Sequence, residues 1–209
     1  MAKVTTADID DFYGWLLRFG GADRKGLAPG TVRRVHSVLH RALVQALRWE
    51  WIWLNPASQA NPPRVRRTEL RPPLPAELAA LLAAVDDVNP PLCVFLRMAA
   101  TTGARRGELL ALRWADIDLA RGSVAFTRAL IVGPSGPVLA ATKTDRTHST
   151  DLDASTHRML ADHHDAMNAR ARAAEVGLGR QAFIFSHDLD GRTPWAPNWT
   201  TEQFISWPR

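Results

Sequence analysis

The feature that most limits the fold is a stretch in the first half of the chain that has few core-forming side chains. Residues 58–74 read SQANPPRVRRTELRPPL, a run of proline, arginine and other polar residues. Such a composition is typical of a linker, because it offers little apolar surface to a packed core. We therefore expect a helical domain at 1–60, a basic Pro/Arg-rich linker at 61–74 and a second domain at 75–209.

The overall composition predicts a folded protein from a reducing compartment. With 209 residues, 46% of them hydrophobic, the chain can bury one substantial core or two small ones. The single cysteine, Cys93, excludes an intrachain disulfide framework, and its apolar neighbours predict a buried thiol. The sequence shows neither a signal peptide nor a membrane-spanning stretch. We expect a cytoplasmic protein without a membrane partner.

The positive charge of the chain is concentrated in its first third. Residues 1–70 contain 11 Lys and Arg against 6 Asp and Glu, whereas residues 71–209 contain 15 of each kind. The whole net charge of +5 therefore falls in the first segment. This asymmetry favours a surface that binds a polyanion. A coding bias towards alanine and arginine would produce the same balance and stays open as an alternative.

Two amphipathic helices are predicted in the first domain. The first runs from Thr6 to Phe19 with Thr5 or Thr6 as its cap. Its apolar face is formed by Ile9, Phe12, Trp15 and Leu16. After the second helix, the turn closed by Asn55-Pro56 is expected to have three tryptophans packed around it.

The second helix, from about Pro29 to Trp49, separates apolar from basic residues. At about 100° per residue, one arc contains Val32, Val35, Leu39, Ala42, Leu43, Ala46 and Leu47. The opposite arc contains Arg33, Arg34, Ser37, Arg41 and Arg48. No acidic residue lies four positions from these arginines, so phosphate contact is favoured over salt bridging. A plain solvated helix surface is the alternative.

The second domain is predicted to be mainly α-helical with a small antiparallel β-sheet. The expected helices are Pro75 to Val85, a buried helix from Asn89-Pro90 to Thr102, Asp153 to about Glu175, and a helical start near Trp199 to Phe204. The expected strands are 122–130, 138–142, 147–152 and 182–185. His157, His163 and His164 lie on one helix without further ligands at suitable spacing, so we interpret them as solvated and predict no metal site.

A short segment places charged residues between two buried pieces of structure. Ala100 to Trp114 reads ATTGARRGELLALRW and contains Arg105, Arg106 and Glu108. Arginine suits phosphate recognition because its planar fork of donors matches two oxygens. Glu108 could orient an arginine or favour the N-terminus of the following helix. Taken alone, the segment could also be an ordinary loop-to-helix junction.

This segment is similar to one in a known family. Thr102 to Leu119, TGARRGELLALRWADIDL, resembles the first active-site segment of the tyrosine recombinases, the phage integrase family, in which a tyrosine attacks the scissile DNA phosphate. The resemblance assigns Arg105 as the first catalytic arginine and Glu108 as its supporting acidic companion. Ala141 to Thr156 resembles the family's hairpin and assigns Lys143 as the catalytic lysine, although Ser149 stands where the family usually has a basic residue. A solvated hairpin lysine is the alternative for Lys143.

The N-terminal half resembles the DNA-clamping core-binding domain of the same family, over LAPGTVRRVHSVLHRALVQALRWEWIWLNPA. The resemblance implies a helical core-binding domain followed by a partial α+β catalytic domain. It also implies double-stranded DNA as partner, other recombinase subunits as a further candidate, and no small-molecule cofactor. The predicted DNA-binding residues are Arg33, Arg34, Arg41, Arg48, Arg64, Arg66 and Arg67.

The later catalytic motifs of the family do not occur in this sequence. No H-x-x-R follows residue 180, and the only tyrosine, Tyr13, lies in the first helix, where it is expected to be core. We therefore expect a chain truncated before those motifs and catalytically incomplete on its own. Two alternatives stay open: a non-catalytic DNA-binding regulator or decoy, and a helical protein-interaction module whose basic face binds no nucleic acid.

Overall fold

Two separate hydrophobic cores divide the chain into an N-terminal unit, Met1–Pro72, and a C-terminal unit, Pro73–Arg209. The computed structural model describes residues 4–65, 69, 71–133, 136–141 and 148–205. The fold is mainly α-helical with two small antiparallel sheets, which confirms the predicted fold class.

The N-terminal unit is built from two helices, α1 (Thr6–Phe19) and α2 (Pro29–Arg48), followed by a 3-10 turn at Pro56–Ser58. Thr5 caps α1 as predicted: its backbone N–H donates to the Asp8 carboxylate over 2.8 Å, and its hydroxyl accepts from the Asp8 backbone N–H. This reciprocal capping box satisfies donors that the first turn of a helix cannot pair internally.

The buried face of α1 differs from the predicted one. Ile9, Tyr13 and Leu16 are buried, whereas Phe12 and Trp15 are 41% and 51% exposed. The two exposed rings stack on each other instead, with centroids 6.4 Å apart. The 9-13-16 spacing is itself a helical stripe, and tyrosine can occupy its centre because its hydroxyl finds a partner inside the unit.

The predicted two faces of α2 are observed in part. Val32 is buried, and Val35, Leu39 and Leu43 pack against the same core. Ala42 and Leu47, predicted on the apolar side, are exposed, because only a narrow strip of the helix meets the other elements of its unit. The four arginines of the opposite arc are all exposed.

A Schellman motif ends α2. The Glu50 N–H donates to the Leu47 carbonyl and the Trp51 N–H to the Ala46 carbonyl, each over 3.0 Å. Glu50 adopts a left-handed conformation with φ 59°, a position that usually holds glycine. The three tryptophans that were expected to pack around the following turn are exposed instead, so that prediction is wrong. They are Trp49, Trp51 and Trp53.

In its described residues, the C-terminal unit contains the α-helices α3 (Pro75–Asp86), α4 (Pro90–Thr102), α5 (Arg106–Leu110), α6 (Ala154–Ala173) and α7 (Pro197–Ile205), and a 3-10 turn at Trp114–Asp116. Asn89, where the sequence predicted the start of this helix, caps α4, with the Leu92 N–H donating to Asn89 Oδ1 over 3.2 Å. Cys93 is buried between α3 and α4, and its thiol donates to the Leu82 carbonyl. Burial raises the pKa of Cys93 to about 11.

The cap of α6 joins that helix to α4. Hydrogen bonds from Ser155 and Thr156 hold the pKa of the Asp153 carboxyl below its usual range. Arg97 of α4 donates to Asp153 over 3.1 Å and to the Thr156 hydroxyl over 2.9 Å. The only charged residue of the apolar Pro90–Thr102 segment therefore lies against the capped end of another helix.

The strands form two sheets rather than one. The first has the order β1-β2-β5, with β1 at Ile117–Asp118, β2 at Ser123–Phe126 and β5 at His148–Asp151, all antiparallel. The second pairs β3 (Arg128–Gly133) with β4 (Gly136–Ala141). The predicted 122–130 run thus continues from one sheet into the other at residue 127, and β1 was not predicted.

The predicted strand at 182–185 is not observed. Its residues are buried, but Phe183 forms only an isolated bridge with Arg113. Backbone hydrogen bonds from Trp114 N–H to the Ala182 carbonyl and from Ile184 N–H to the Leu112 carbonyl complete this pairing. The apolar run packs beside the end of α5, where too few residues are extended on the facing side to form a ladder.

No helix in the described part of the chain combines the length and apolar character needed to cross a bilayer.

The end of α2 provides a test of backbone strain. Replacing Glu50 by Gly should stabilise the protein by about 1 kcal/mol, because glycine adopts the left-handed conformation without steric cost. Glu50→Ala, which removes the carboxylate and keeps the Cβ atom, should not stabilise it. Urea unfolding followed by circular dichroism measures both changes. Equal stability of the two variants would show that the conformation carries no strain.

Candidate active site and nucleic-acid interface

One carboxylate organises the segment between α4 and α5. Glu108 is buried, and its Oε2 accepts from the backbone N–H of Arg105 over 2.8 Å. Its Oε1 accepts from the Arg105 guanidinium over 2.9 Å. The Arg105 side chain is nevertheless 86% exposed. The guanidinium is thus oriented from one side by a buried anion and has its remaining donors open to solvent.

Two glycines determine where this pair lies. Gly103 ends α4 in a left-handed conformation, φ 65°, and its N–H donates to the Ala99 carbonyl. Gly107, inside α5, approaches β3 so closely that a Cβ atom there would lie 2.5 Å from the Leu130 carbonyl oxygen. The first glycine turns the chain out of α4, and the second lets α5 contact the sheet.

Arg106 has a different environment from its neighbour. Its guanidinium donates to the Thr201 hydroxyl of α7, so it links α5 to the last helix. The adjacent arginines therefore point to different partners: Arg105 is held by Glu108 and faces solvent, while Arg106 forms a contact between two helices.

The predicted catalytic lysine, Lys143, lies outside the described residues. The strands on either side of it are described. β4 ends at Ala141, and β5 begins at His148 and pairs with β2. Ser149, the position at which the chain departs from the family pattern, is an exposed residue of β5 that faces Ala125 across the strand pair.

The C-terminal unit contains a partly buried ion pair that the sequence did not predict. Arg128, where β3 begins, donates to both oxygens of Asp116 over 2.7 and 2.6 Å. Asp116 also accepts from the Arg113 backbone N–H over 2.9 Å. The Arg113 guanidinium lies over the Phe183 ring, 4.8 Å from its centroid. Arg128 and Arg113 thus join the start of β3 and residue 183 to the segment that follows α5. Because the residues in these contacts are not close in the sequence, no local sequence pattern predicts them.

The three histidines of α6 are packed rather than solvated, so that interpretation is wrong. His157 Nε2 lies 2.7 Å from the Leu119 carbonyl and His163 Nε2 lies 3.0 Å from the Ile184 carbonyl. His164 meets the Trp114 ring edge-on. Burial lowers the pKa of His163, so this ring is neutral at neutral pH and donates Nε2–H to the carbonyl. The histidines serve the packing of α6.

Tyr13 is part of the core of the N-terminal unit, as predicted. It is 2% exposed, and its hydroxyl lies 2.8 Å from His36 Nδ1. The imidazole meets the phenol ring edge-on, with centroids 5.7 Å apart. Burial raises the pKa of Tyr13 and lowers the pKa of His36. The phenol is therefore protonated, hydrogen-bonded and inaccessible.

The basic face of α2 is a row of exposed guanidinium groups. It consists of Arg33, Arg34, Arg41 and Arg48. None of the four forms an ion pair within the residues that the structure describes. Arg33 donates to the Pro63 carbonyl over 3.5 Å, which places the chain after the 3-10 turn beside the start of this row. Such a row can contact the phosphates of a nucleic acid.

Of Arg64, Arg66 and Arg67, the linker arginines predicted to bind DNA, Arg64 lies within the described residues. Its side chain is exposed. Arg66 and Arg67 lie outside the described residues.

No protein-family model matches the chain. A curated protein of Saccharopolyspora erythraea described as an integrase is 32% identical over 106 residues. The match covers 50% of this chain and 24% of that protein, so the chain is matched to about a quarter of the relative's length.

Solved integrase structures share the fold. The Tn1549 transposon integrase in complex with a circular intermediate DNA has a TM-score of 0.74 at 15% identity, covering 99% of this chain and 66% of that one. A lambda integrase tetramer bound to a Holliday junction has a TM-score of 0.58 at 19% identity, covering 98% and 52%. These structures show that this chain shares its fold with integrases, and the curated relative agrees with the resemblance to the integrase family that the sequence shows.

The close approach of Gly107 to β3 leads to a stability prediction. Gly107→Ala should destabilise the C-terminal unit by about 2 kcal/mol, because the new Cβ atom would force α5 away from the Leu130 carbonyl. Gly30→Ala is the matched control: a Cβ atom there meets nothing within 4 Å, so the protein should keep its stability or gain slightly. Thermal unfolding measures the stability of both variants, and equal melting temperatures would contradict the prediction.

Proposed function

We propose that this chain is a DNA-binding fragment of a site-specific tyrosine recombinase, in which Arg105 contacts a backbone phosphate of duplex DNA. The observation that carries the proposal is the pair of Arg105 and Glu108. An exposed guanidinium whose orientation is set by a buried carboxylate is suited to meeting a phosphate without reorganising. It lies in the segment that resembles the first active-site motif of the integrases.

The similarity to known integrases supports DNA binding by this chain. The solved relatives named above are integrases in complex with DNA, one of them a tetramer. The chain covers less than two thirds of the length of each. DNA is therefore proposed as the partner of this chain, and other recombinase subunits as a further one.

The proposed interface of the N-terminal unit is the basic face of α2, with Arg64, Arg66 and Arg67 as additional contacts. The four arginines of α2 form no ion pair within the described residues, so a phosphate contact would not have to replace one. Contacts of this kind set the position of a protein on DNA and carry little sequence information.

Lys143 is proposed as a proton donor to the departing 5′ oxygen, on the strength of the resemblance and of lysine chemistry. Its partner in that chemistry would be a nucleophilic tyrosine, and residues 1–209 contain one tyrosine, Tyr13. That phenol is buried and hydrogen-bonded to His36, so it is not available to a scissile phosphate. We therefore propose that the chain cannot cut and rejoin DNA by itself.

The role of the basic face is testable through the salt dependence of binding. Replacing Arg33, Arg34, Arg41 and Arg48 by Ala should weaken binding to duplex DNA. It should also lower the slope of log affinity against log salt concentration by about 3 to 4, since each phosphate contact contributes about 0.9. Fluorescence anisotropy with a labelled duplex across a salt series measures both quantities.

The control for this experiment removes positive charge elsewhere in the same unit. Arg18, Arg24 and Lys25 are exposed at the end of α1 and in the loop after it. Their replacement by Ala should change the slope far less than the four-arginine variant does. Slopes that fall equally in both variants would mean that net charge, rather than the face of α2, determines binding.

Catalytic incompleteness is testable with a nicked suicide substrate that traps covalent protein–DNA adducts. With the recombination site of a full-length integrase, this chain alone should form no adduct, because its phenol is in the core. The full-length integrase on the same substrate is the positive control. An adduct that this chain forms alone, and that Tyr13→Phe abolishes, would overturn the proposal.

The same assay separates the fragment from a regulator or decoy. Mixing the chain with the full-length integrase shows whether it supports or suppresses adduct formation by that enzyme. Suppression that depends on the basic face of α2 would favour a decoy that occupies recombinase sites.

A further inference from the structure

Three exposed tryptophans follow α2 and have no role in the function proposed above. Trp49 is 56% exposed, Trp51 72% and Trp53 96%. Large apolar side chains grouped on a surface commonly mark a binding site. Within the described residues, Trp49 and Trp51 contact each other, and none of the three indoles is among the side chains that pack against the core of their unit.

The backbone holds two of these rings in place. The Schellman motif fixes the chain direction between Trp49 and Trp51, and Glu50 accepts a left-handed conformation to complete it. The two ring centroids are 4.7 Å apart, with an angle of 48° between the planes. A flat ligand therefore meets an aromatic surface that is already formed, with little conformational entropy left to lose.

Trp49 directly follows Arg48, the last arginine of the basic face, so it lies at the C-terminal end of that row. With Arg33 at zero and about 100° per residue, Arg48 lies at about 60° and Arg34 at about 100°, and Trp49 points about 60° beyond Arg34. Glu50 is the single acidic residue between positions 32 and 54. A DNA strand whose phosphates contact the arginines along α2 would have its bases near the C-terminal end of the helix, where the indoles lie.

We infer that Trp49, Trp51 and Trp53 form a stacking surface for unpaired bases of DNA whose backbone follows the basic face of α2. The inference rests on the proposed DNA binding and extends it to single-stranded or splayed segments. Aromatic rings beside a row of positive charges are the combination that binds single strands. Bases inside an intact duplex do not present their faces, so the surface distinguishes unpaired from paired DNA.

The experiment compares a single-stranded oligothymidylate with a duplex of the same length, using the full chain. Replacing all three tryptophans by Leu should weaken single-strand binding on the order of tenfold or more and leave duplex binding within about twofold. Leucine keeps the surface apolar and removes the rings, so the loss reports stacking. Quenching of tryptophan fluorescence by the single strand should decrease in the same variant.

Two further variants serve as controls. Trp15→Leu removes an indole of similar exposure, 51%, from α1 rather than from the end of α2, and should change neither affinity. The four-arginine variant should weaken single-strand and duplex binding together. Trp53→Leu alone, at a position 96% exposed, preserves the fold and should already reduce single-strand binding several-fold.

Three outcomes would overturn the inference. If the triple variant binds the single strand with unchanged affinity, the tryptophans do not stack on bases. Duplex binding, and with it the proposed function, would be unaffected by that result. No binding of wild type to either DNA removes both. The third outcome is that sedimentation shows the wild type to self-associate with rising concentration, whereas the triple variant does not and binds DNA with unchanged affinity. The tryptophans would then bind a second copy of the chain instead of DNA bases.

Discussion

The C-terminal unit depends on one close approach, between α5 and β3, where no side chain separates Gly107 from the Leu130 carbonyl. Because α5 lies against the strand, Glu108 is carried into the interior beside it. A carboxylate buried in this way needs partners, and it obtains them from the backbone and the guanidinium of Arg105. The orientation of an exposed arginine thus follows from the absence of a Cβ atom two residues later.

Local signals in the sequence indicated where several helices begin. Thr5, Asn89 and Asp153 cap helices that were predicted to begin at or next to these residues, since a cap is a contact between residues two or three positions apart. The inward face of α1 could not be obtained in the same way. Phe12 and Trp15 are the more hydrophobic choices, but the partner of Tyr13 is His36, on another helix.

The candidate site shows the same division between local and tertiary information. Arg105 and Glu108 are three residues apart, so their contact could be anticipated from spacing and from the family resemblance. The ion pair of Arg128 with Asp116 and the hydrogen bond of His163 to a loop carbonyl join distant parts of the chain. Periodicity and composition carry no information on such pairs, which arise only when the elements pack.

The buried thiol of Cys93 has a practical consequence for work with this protein. A pKa of about 11 leaves about one thiol in ten thousand ionised at pH 7, and the side chain is 2% exposed. Maleimides and spin labels, which react with accessible thiolates, will therefore leave the wild-type chain almost untouched. A cysteine introduced on the surface can be labelled alone, without removing the native one, so distances to bound DNA become measurable in an otherwise unaltered molecule.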